Sequence, residues 1–277
     1  MAGMLYLVPT PIGNLGDISQ RCRETLEQAD FIAAEDTRVS LKLLNHLSIK
    51  KPLVSYYEHN RAESGQRILE RILNGETCAL VSDAGSPAIS DPGEDLVALC
   101  AQHDIVVSAI PGPCAVITAL SMSGLPTGRF TFEGFLSTNK KSRQDHLQSL
   151  RTEQRTMIFY EAPHKLTNTL QDLMNTFGPA RRISLCRELT KLHEEVIRTT
   201  LQGAVDYYRD LPPRGEYVLV LEGAEPPAET ALTLEDALNL VEEKLSQGLS
   251  RKDAVKQVAK ETGFAKNALY DAAMKAL

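Results

Sequence analysis

Thr77-Cys78-Ala79-Leu80-Val81-Ser82-Asp83-Ala84-Gly85-Ser86-Pro87-Ala88-Ile89-Ser90-Asp91-Pro92-Gly93 passes from a short apolar run, through a loop of small residues, into a helical pattern from Glu94 to Gln102. Strand, small-residue loop and helix in that order are the local plan of an open α/β sheet, whose ligands lie outside the carboxyl ends of the strands. Between Ser82 and Gly93 stand two Asp, two Gly and two Pro, with no Lys or Arg. Gly admits conformations and close approaches closed to other residues, while Pro removes a donor and stiffens the path. A phosphate cradle would want N–H groups and a Lys. This loop therefore suits hydroxyl, amine or cationic groups better than a polyphosphate. Plain connections of this kind span roughly 2–6 residues. This one is longer and reads as a ligand loop.

The same alternation extends in both directions. Leu5-Tyr6-Leu7-Val8 reads as a strand closed by Pro9-Thr10-Pro11-Ile12-Gly13-Asn14, and Ser19 to Ala29 as a helix with Asp17 or Ser19 as its N-cap. Asp30 to Ala34 is a strand ending in Glu35-Asp36-Thr37-Arg38, followed by a helix from Val39 to His46. Pro52 to Tyr56 is a strand leading to Tyr57-Glu58-His59-Asn60 and a helix, Arg61 to Leu73. Ile105 to Ile110 runs into Pro111-Gly112-Pro113-Cys114-Ala115 and a small-residue helix. Alternating strands and helices predict a mostly parallel sheet covered on both faces.

Gly124-Leu125-Pro126-Thr127-Gly128 reads as a boundary. Beyond it come a strand Phe130 to Phe135, a polar basic segment, a strand Thr156 to Tyr160, a helix His164 to Phe177 and three further strands. Successive strands with fewer helices predict a second α/β domain with mixed pairing. Gly223 to Glu229 is a linker, and the tail from Leu232 is helical throughout. The expected domains are residues 1–124, 125–225 and 230–277. In the tail, Ala259, Gly263 and Leu269 have helix-turn-helix spacing, with Lys266, Asn267 and Tyr270 facing outward. A small dimerisation or docking bundle fits that spacing equally well.

Bulk properties exclude several classes. The chain has 277 residues, enough for two domains and an appendage, with 43% hydrophobic and 24% charged residues. Five scattered Cys without C-x-x-C spacing point to reduced thiols in a cytoplasm. Met1 to Val8 has no basic flank and reads as a strand, not a signal peptide. No apolar run approaches the roughly 20 residues of a spanning helix. Six His show no metal-ligand spacing, so no metal is expected. No G-x-G-x-x-G follows the first strand, which argues against a dinucleotide fold. No G-x-S-x-G elbow is present, and Cys114 lacks an evident His partner. Net charge is −6, yet Lys140 to Arg155 and the tail are locally basic, compatible with a phosphate-bearing partner.

Six motifs, in order, carry a resemblance. They are Leu5 to Leu15 (LYLVPTPIGNL), Ala34-Glu35-Asp36-Thr37-Arg38, Val81 to Pro87 with Asp91-Pro92-Gly93, Pro111-Gly112-Pro113-Cys114-Ala115, Phe159-Tyr160-Glu161 and Arg187-Glu188-Leu189-Thr190-Lys191. Together they resemble the bacterial small-subunit ribosomal RNA 2′-O-ribose (cytidine) methyltransferases. That family lies within the tetrapyrrole methylase-like group of S-adenosylmethionine enzymes, and the likeness spans nearly the whole chain. It implies two α/β domains with the methyl donor in the cleft between them, a homodimer, and ribosomal RNA of the small subunit as partner. By position it assigns donor contacts to Ile12, Asp83, Ala84, Gly85, Ala88, Cys114, Ala115, Tyr160 or Glu161, and Leu189. One departure stands out. The tetrapyrrole enzymes carry Gly and then Asp where Asp83 and Gly85 stand here.

Transfer to a ribose hydroxyl needs in-line placement at ~3–3.5 Å and a group to take the proton. Strand-end candidates are Glu35, Asp36, His59, Glu188 and Lys191, with Arg38 as a phosphate fork. A helix cap with a local ion pair explains Glu35 to Arg38 almost as well, and a surface pair explains Glu188 with Lys191. Tyr56, Tyr57 and Tyr160 are candidate stacking rings. A small-molecule tetrapyrrole methyltransferase and a non-catalytic ribosome-associated module are the competing readings.

Overall fold

The computed structural model describes residues 2–225 and 232–276. The expected linker, Gly223 to Glu229, lies partly outside the described residues. Residues 1–224 form one compact unit and residues 225–277 another.

The first unit opens with β1 (Met4–Leu7), α1 (Gln20–Gln28), β2 (Phe31–Ala34), α2 (Thr37–His46), β3 (Leu53–Ser55) and α3 (Arg61–Leu73). It continues with β4 (Cys78–Val81), α4 (Gly93–Gln102), β5 (Val106–Ala109) and α5 (Ala115–Ser123). The five strands make a parallel sheet in the order β3-β2-β4-β1-β5. Its two faces can be read from period-two alternation in β2. Phe31 and Ala33 pack with Ile68, Ile72 and Leu96 of α3 and α4. Ile32 and Ala34 pack with Cys22, Leu26 and Leu44 of α1 and α2. Such burial on both faces is what a parallel sheet requires. Caps set the helix starts: Ser19 Oγ accepts from Cys22 N at 3.1 Å, and Asp36 accepts from Arg38 N at 2.8 Å.

The second sheet comprises β6 (Phe130–Phe135), β7 (Thr156–Glu161), β8 (Arg182–Arg187), β9 (Glu195–Thr200) and β10 (Tyr217–Leu221). Their order is β6-β7-β10-β8-β9, with only β6 and β7 parallel. Its helices are α6 (Lys140–Ser149), α7 (Leu166–Phe177) and α8 (Leu201–Tyr207). The polar basic segment is a helix, started by Asn139, whose Oδ1 accepts from Lys141 N and Ser142 N. Only Leu147 of α6 is buried, which is why its apolar periodicity is faint. One face of the sheet buries Met157, Phe159, Leu185 and Leu219 against α7 and α8. The other buries Ile158, Cys186, Val218 and Val220 against Val116, Ala119 and Leu120 of α5. A helix from the first half of the chain therefore covers the second sheet, joining the two sheets into one unit.

The second unit holds α9 (Leu234–Ser246), α10 (Arg251–Thr262) and α11 (Lys266–Ala276). Gly263 ends α10 at φ +76, the left-handed cap that helix termini favour. Val241, Val255, Val258 and Leu269 form its core. Lys266 and Asn267 are exposed, as the tail spacing predicts.

Candidate functional site

A cavity of about 540 Å³ opens where the strand-end loops of both sheets meet, within the size range of small-molecule sites. The Ser82–Gly93 loop forms one wall. Its start is fixed by three contacts to the β1 loop: Thr10 N donates to Gly85 O at 2.9 Å, Gly85 N to Thr10 O at 3.0 Å, and Thr10 Oγ1 to Ser82 O at 3.1 Å. Ser86 Oγ donates to Pro113 O at 3.0 Å, tying in the Pro111–Ala115 loop. Gly85 sits at φ +86, and a Cβ there would lie 3.3 Å from Ile12 Cγ2. Side chains are doubly disfavoured at this position, by conformation and by space.

The loop's second half is strained. Ala88 and Ser90, neither of them Gly, have φ +66 and +68. Asp91 Oδ1 holds this shape, accepting from Ala88 N at 2.9 Å and Gly93 N at 2.8 Å. Strain kept by specific bonds clusters at ligand sites.

All the positions expected to touch a donor line this cavity, except Ala88. Ala88 is not in the lining, and its N–H donates to Asp91 Oδ1. Glu161 reaches the cavity but is spoken for: Thr169 Oγ1 donates to its Oε2 at 2.5 Å, and Ala162 N to its Oε1 at 2.8 Å. Tyr160 packs edge-on against Phe132 at 5.0 Å and tilted against Phe135 at 5.4 Å. Burial pushes its phenol up to about 12, so the hydroxyl stays neutral.

The catalytic candidates separate. Glu35 lines the cavity. Burial, together with the charges of Asp83 and Asp91, raises its pKa above the ordinary carboxylate value. Asp36 and Arg38 lie outside and bond each other, Arg38 Nε to Asp36 Oδ1 at 3.0 Å and Nη2 to Oδ2 at 2.6 Å. Arg38's hydrogen bonds bring Asp36 down to about 2. His59 is exposed, edge-on to Tyr57 at 6.2 Å. Lys191 Nζ donates to Glu188 Oε1 and to Glu216 Oε2, each at 2.9 Å. That loop packs tightly on the first sheet's β1 loop, since a Cβ on Gly13 would fall 2.5 Å from Lys191 Cγ. Of the expected stacking rings, Tyr56 is a core residue at 2% exposure. Its ring is needed in the packing of α3.

Charge distinguishes the lining. Glu35, Asp83, Asp91, Glu161 and Glu216 stand there with no Lys, Arg or His; Glu216 is paired with Lys191 outside the lining, and Asp83 Oδ1 is engaged by Asp36 N at 3.0 Å. The cavity's field is negative and its walls are largely apolar. Sequence reading missed Phe135, Ile89 and Glu216 in the lining. Their places at the end of β6, within the Ser82–Gly93 loop and just before β10 were the available signal; alternation along β6 was not, because its register shifts between Phe132 and Gly134.

Comparison with known proteins places this geometry. The Tetrapyrrole (Corrin/Porphyrin) Methylases match residues 4–205, and the RsmI C-terminal HTH domain matches residues 233–277. Ribosomal RNA small subunit methyltransferase I of Synechocystis sp. is 48% identical over 99% of this chain and 98% of its own length. Its counterpart in Halalkalibacterium halodurans is 47% identical over 97% and 94%. Among solved structures, uroporphyrin-III C-methyltransferase of Thermus thermophilus complexed with S-adenosylhomocysteine superposes with a TM-score of 0.55. It covers 79% of this chain and 97% of that one at 17% identity, a likeness of fold. With the family matched over residues 4–205 and the relatives aligned almost end to end, the chain belongs to the tetrapyrrole methylase family, among the ribosomal RNA small subunit methyltransferase I proteins.

Proposed function

We propose that the chain is an S-adenosylmethionine-dependent methyltransferase that methylates the 2′-hydroxyl of a cytidine ribose in small-subunit ribosomal RNA. The observation that carries the reading is the cavity's charge: five acidic side chains, no basic one, and apolar walls from both sheets. S-adenosylmethionine carries a sulfonium and an ammonium, so a site of this sign and size fits it. Asp83, Ala84, Gly85 and Ile12 would hold it from the first sheet, with Cys114, Ala115, Tyr160 and Leu189 closing the other side. When bound, the donor supplies a methyl group activated by positive sulfur.

The protein's own contribution is placement, water exclusion and proton handling. Among the catalytic candidates, Glu35 alone lines the cavity. Its raised pKa brings it nearer the range in which a general base works. In this reading Glu35 receives the hydroxyl proton as the ribose oxygen bonds to the methyl carbon and the carbon–sulfur bond breaks. Asp36, Arg38, Glu188 and Lys191 hold the loops in place, and His59 lies on the outer surface.

The finer assignments belong to the same proposal: a homodimer acting in the cytoplasm on the small subunit, with domains at 1–124, 125–225 and 230–277. No helix among the described residues is long and apolar enough to cross a membrane. The test is transfer of a labelled methyl group to small subunits from cells lacking the protein. Label in a 2′-O-methylcytidine is expected, and label found only on another nucleotide or on no RNA contradicts the proposal.

A further inference from the structure

Strand β6 carries an irregularity that the donor site does not explain. Its register against β7 shifts between Phe132, opposite Ile158, and Gly134, opposite Phe159. Glu133 is therefore an extra residue, a β-bulge. In an unbroken strand, Phe132 and Phe135 would point to opposite faces. The bulge brings Phe135 opposite Tyr160, onto the same face as Phe132, and both rings pack on Tyr160.

The distortion is actively held. Gly134 adopts φ +64, and Glu133 Oε2 meets His146 Nε2 of α6 at 2.9 Å. Bulges near binding sites re-aim a side chain. Here the result is a phenylalanine that lines the cavity yet remains 58% exposed. Core packing gains little from that placement. Ile89, 47% exposed, is the other large apolar side chain open to solvent in the lining, and it comes from the strained loop of the first sheet. Beyond Phe135, α6 begins with Lys140 and Lys141, both exposed and, among the described residues, without an ion-pair partner.

We propose that Phe135 is the platform on which the base of the nucleotide being methylated stacks, with Lys140 and Lys141 meeting the flanking phosphates. The inference rests on the RNA methyltransferase reading above. An unstacked base seeks an aromatic face when a single-stranded RNA segment is recognised, and successive phosphates seek adjacent cations. A flat apolar ring at the mouth and two lysines at the start of the next helix offer both. The donor, deeper in the same cavity, would then face the sugar of the stacked nucleotide.

The test compares Phe135→Ala and Phe135→Tyr in the full-length protein. Calorimetry reads S-adenosylmethionine affinity, and labelled-methyl transfer reads kcat/KM on small subunits lacking the mark. Phe135→Ala is expected to lower kcat/KM roughly 10- to 100-fold, the range for losing one base–aromatic stack. Donor affinity should stay within about twofold, and Phe135→Tyr should restore most of the activity. An unchanged kcat/KM for Phe135→Ala overturns the proposal, as does an equal loss of donor affinity, which would make the ring part of the donor site. A Tyr variant as poor as the Ala variant also overturns it. Inactive wild-type protein would sink both readings, whereas an active wild type beside an equally active Phe135→Ala sinks this one alone.

Discussion

Glu35 and Asp36 are adjacent in sequence and have opposite fates. Glu35 ends β2 inside a cavity with Asp83 and Asp91, while Asp36 caps α2 and pairs with Arg38. The motif was legible as a strand-end cluster, but which carboxylate enters the cavity depends on side-chain direction at the turn. That choice has a thermodynamic signature. Burial and like charge raise the Glu35 pKa, so its proton is bound more tightly in the folded chain than in the unfolded one. A raised folded value means stability present at low pH and lost as pH rises through that value. Ionised Glu35 therefore destabilises the ligand-free protein at neutral pH. Glu35→Gln should raise the Tm of the free protein at pH 7 while weakening S-adenosylmethionine roughly tenfold, about 1.4 kcal/mol. S-adenosylhomocysteine, which lacks the sulfonium charge, should lose much less. In the wild type, donor affinity should fall as pH drops through the raised Glu35 value, and this dependence should be absent from Glu35→Gln. Calorimetry across pH with both ligands checks the set, and equal losses for the two ligands would remove Glu35 from the donor's field.

At the scale of elements, the Ser82–Gly93 loop shows what a sequence can and cannot convey. Its length, small residues and position after a strand marked it as a ligand loop. The left-handed backbone at Ala88 and Ser90 left no trace in residue type, and the bond from Ala88 N–H to Asp91 was likewise illegible. Helix α6 was hidden for another reason. Its exposed polar faces carry almost no apolar period, and Asn139 as a cap was the remaining signal. Strand order was illegible as well, since crossovers do not depend on the strands' own residues. Asp91 gives the loop its quantitative test. Asp91→Ala leaves two backbone donors without their acceptor, at about 1–3 kcal/mol. For a unit of this size that lowers Tm by roughly 2–4 °C per kcal/mol. Asp91→Asn keeps a side-chain oxygen and should retain most of the stability. If Asp91→Ala melted like the wild type, the carboxylate would not be what holds the strained turn.

For the molecule as a whole, the division of labour follows the two compact units. Residues 1–224 contain the cavity, and residues 225–277 a separate core of three helices bearing exposed Lys252, Lys256, Lys260, Lys266 and Lys275. Removing residues from Leu232 onward should leave S-adenosylmethionine affinity within about twofold. It should cut methylation of small subunits and flatten the salt dependence of their binding, because fewer phosphates are neutralised. Full activity in the truncated chain would leave the helical unit without a role in RNA capture. The alternation that predicted two α/β layers and the six ordered motifs made the family legible. The joining of the sheets through α5 was not, because it depends on which face that helix buries. Ribose methylation of small-subunit ribosomal RNA can be read by mass spectrometry of that RNA from cells with and without the gene. One 2′-O-methylcytidine should disappear on deletion and return with wild-type protein but not with Glu35→Gln. Persistence of every ribose methylation in the deleted strain would contradict this function.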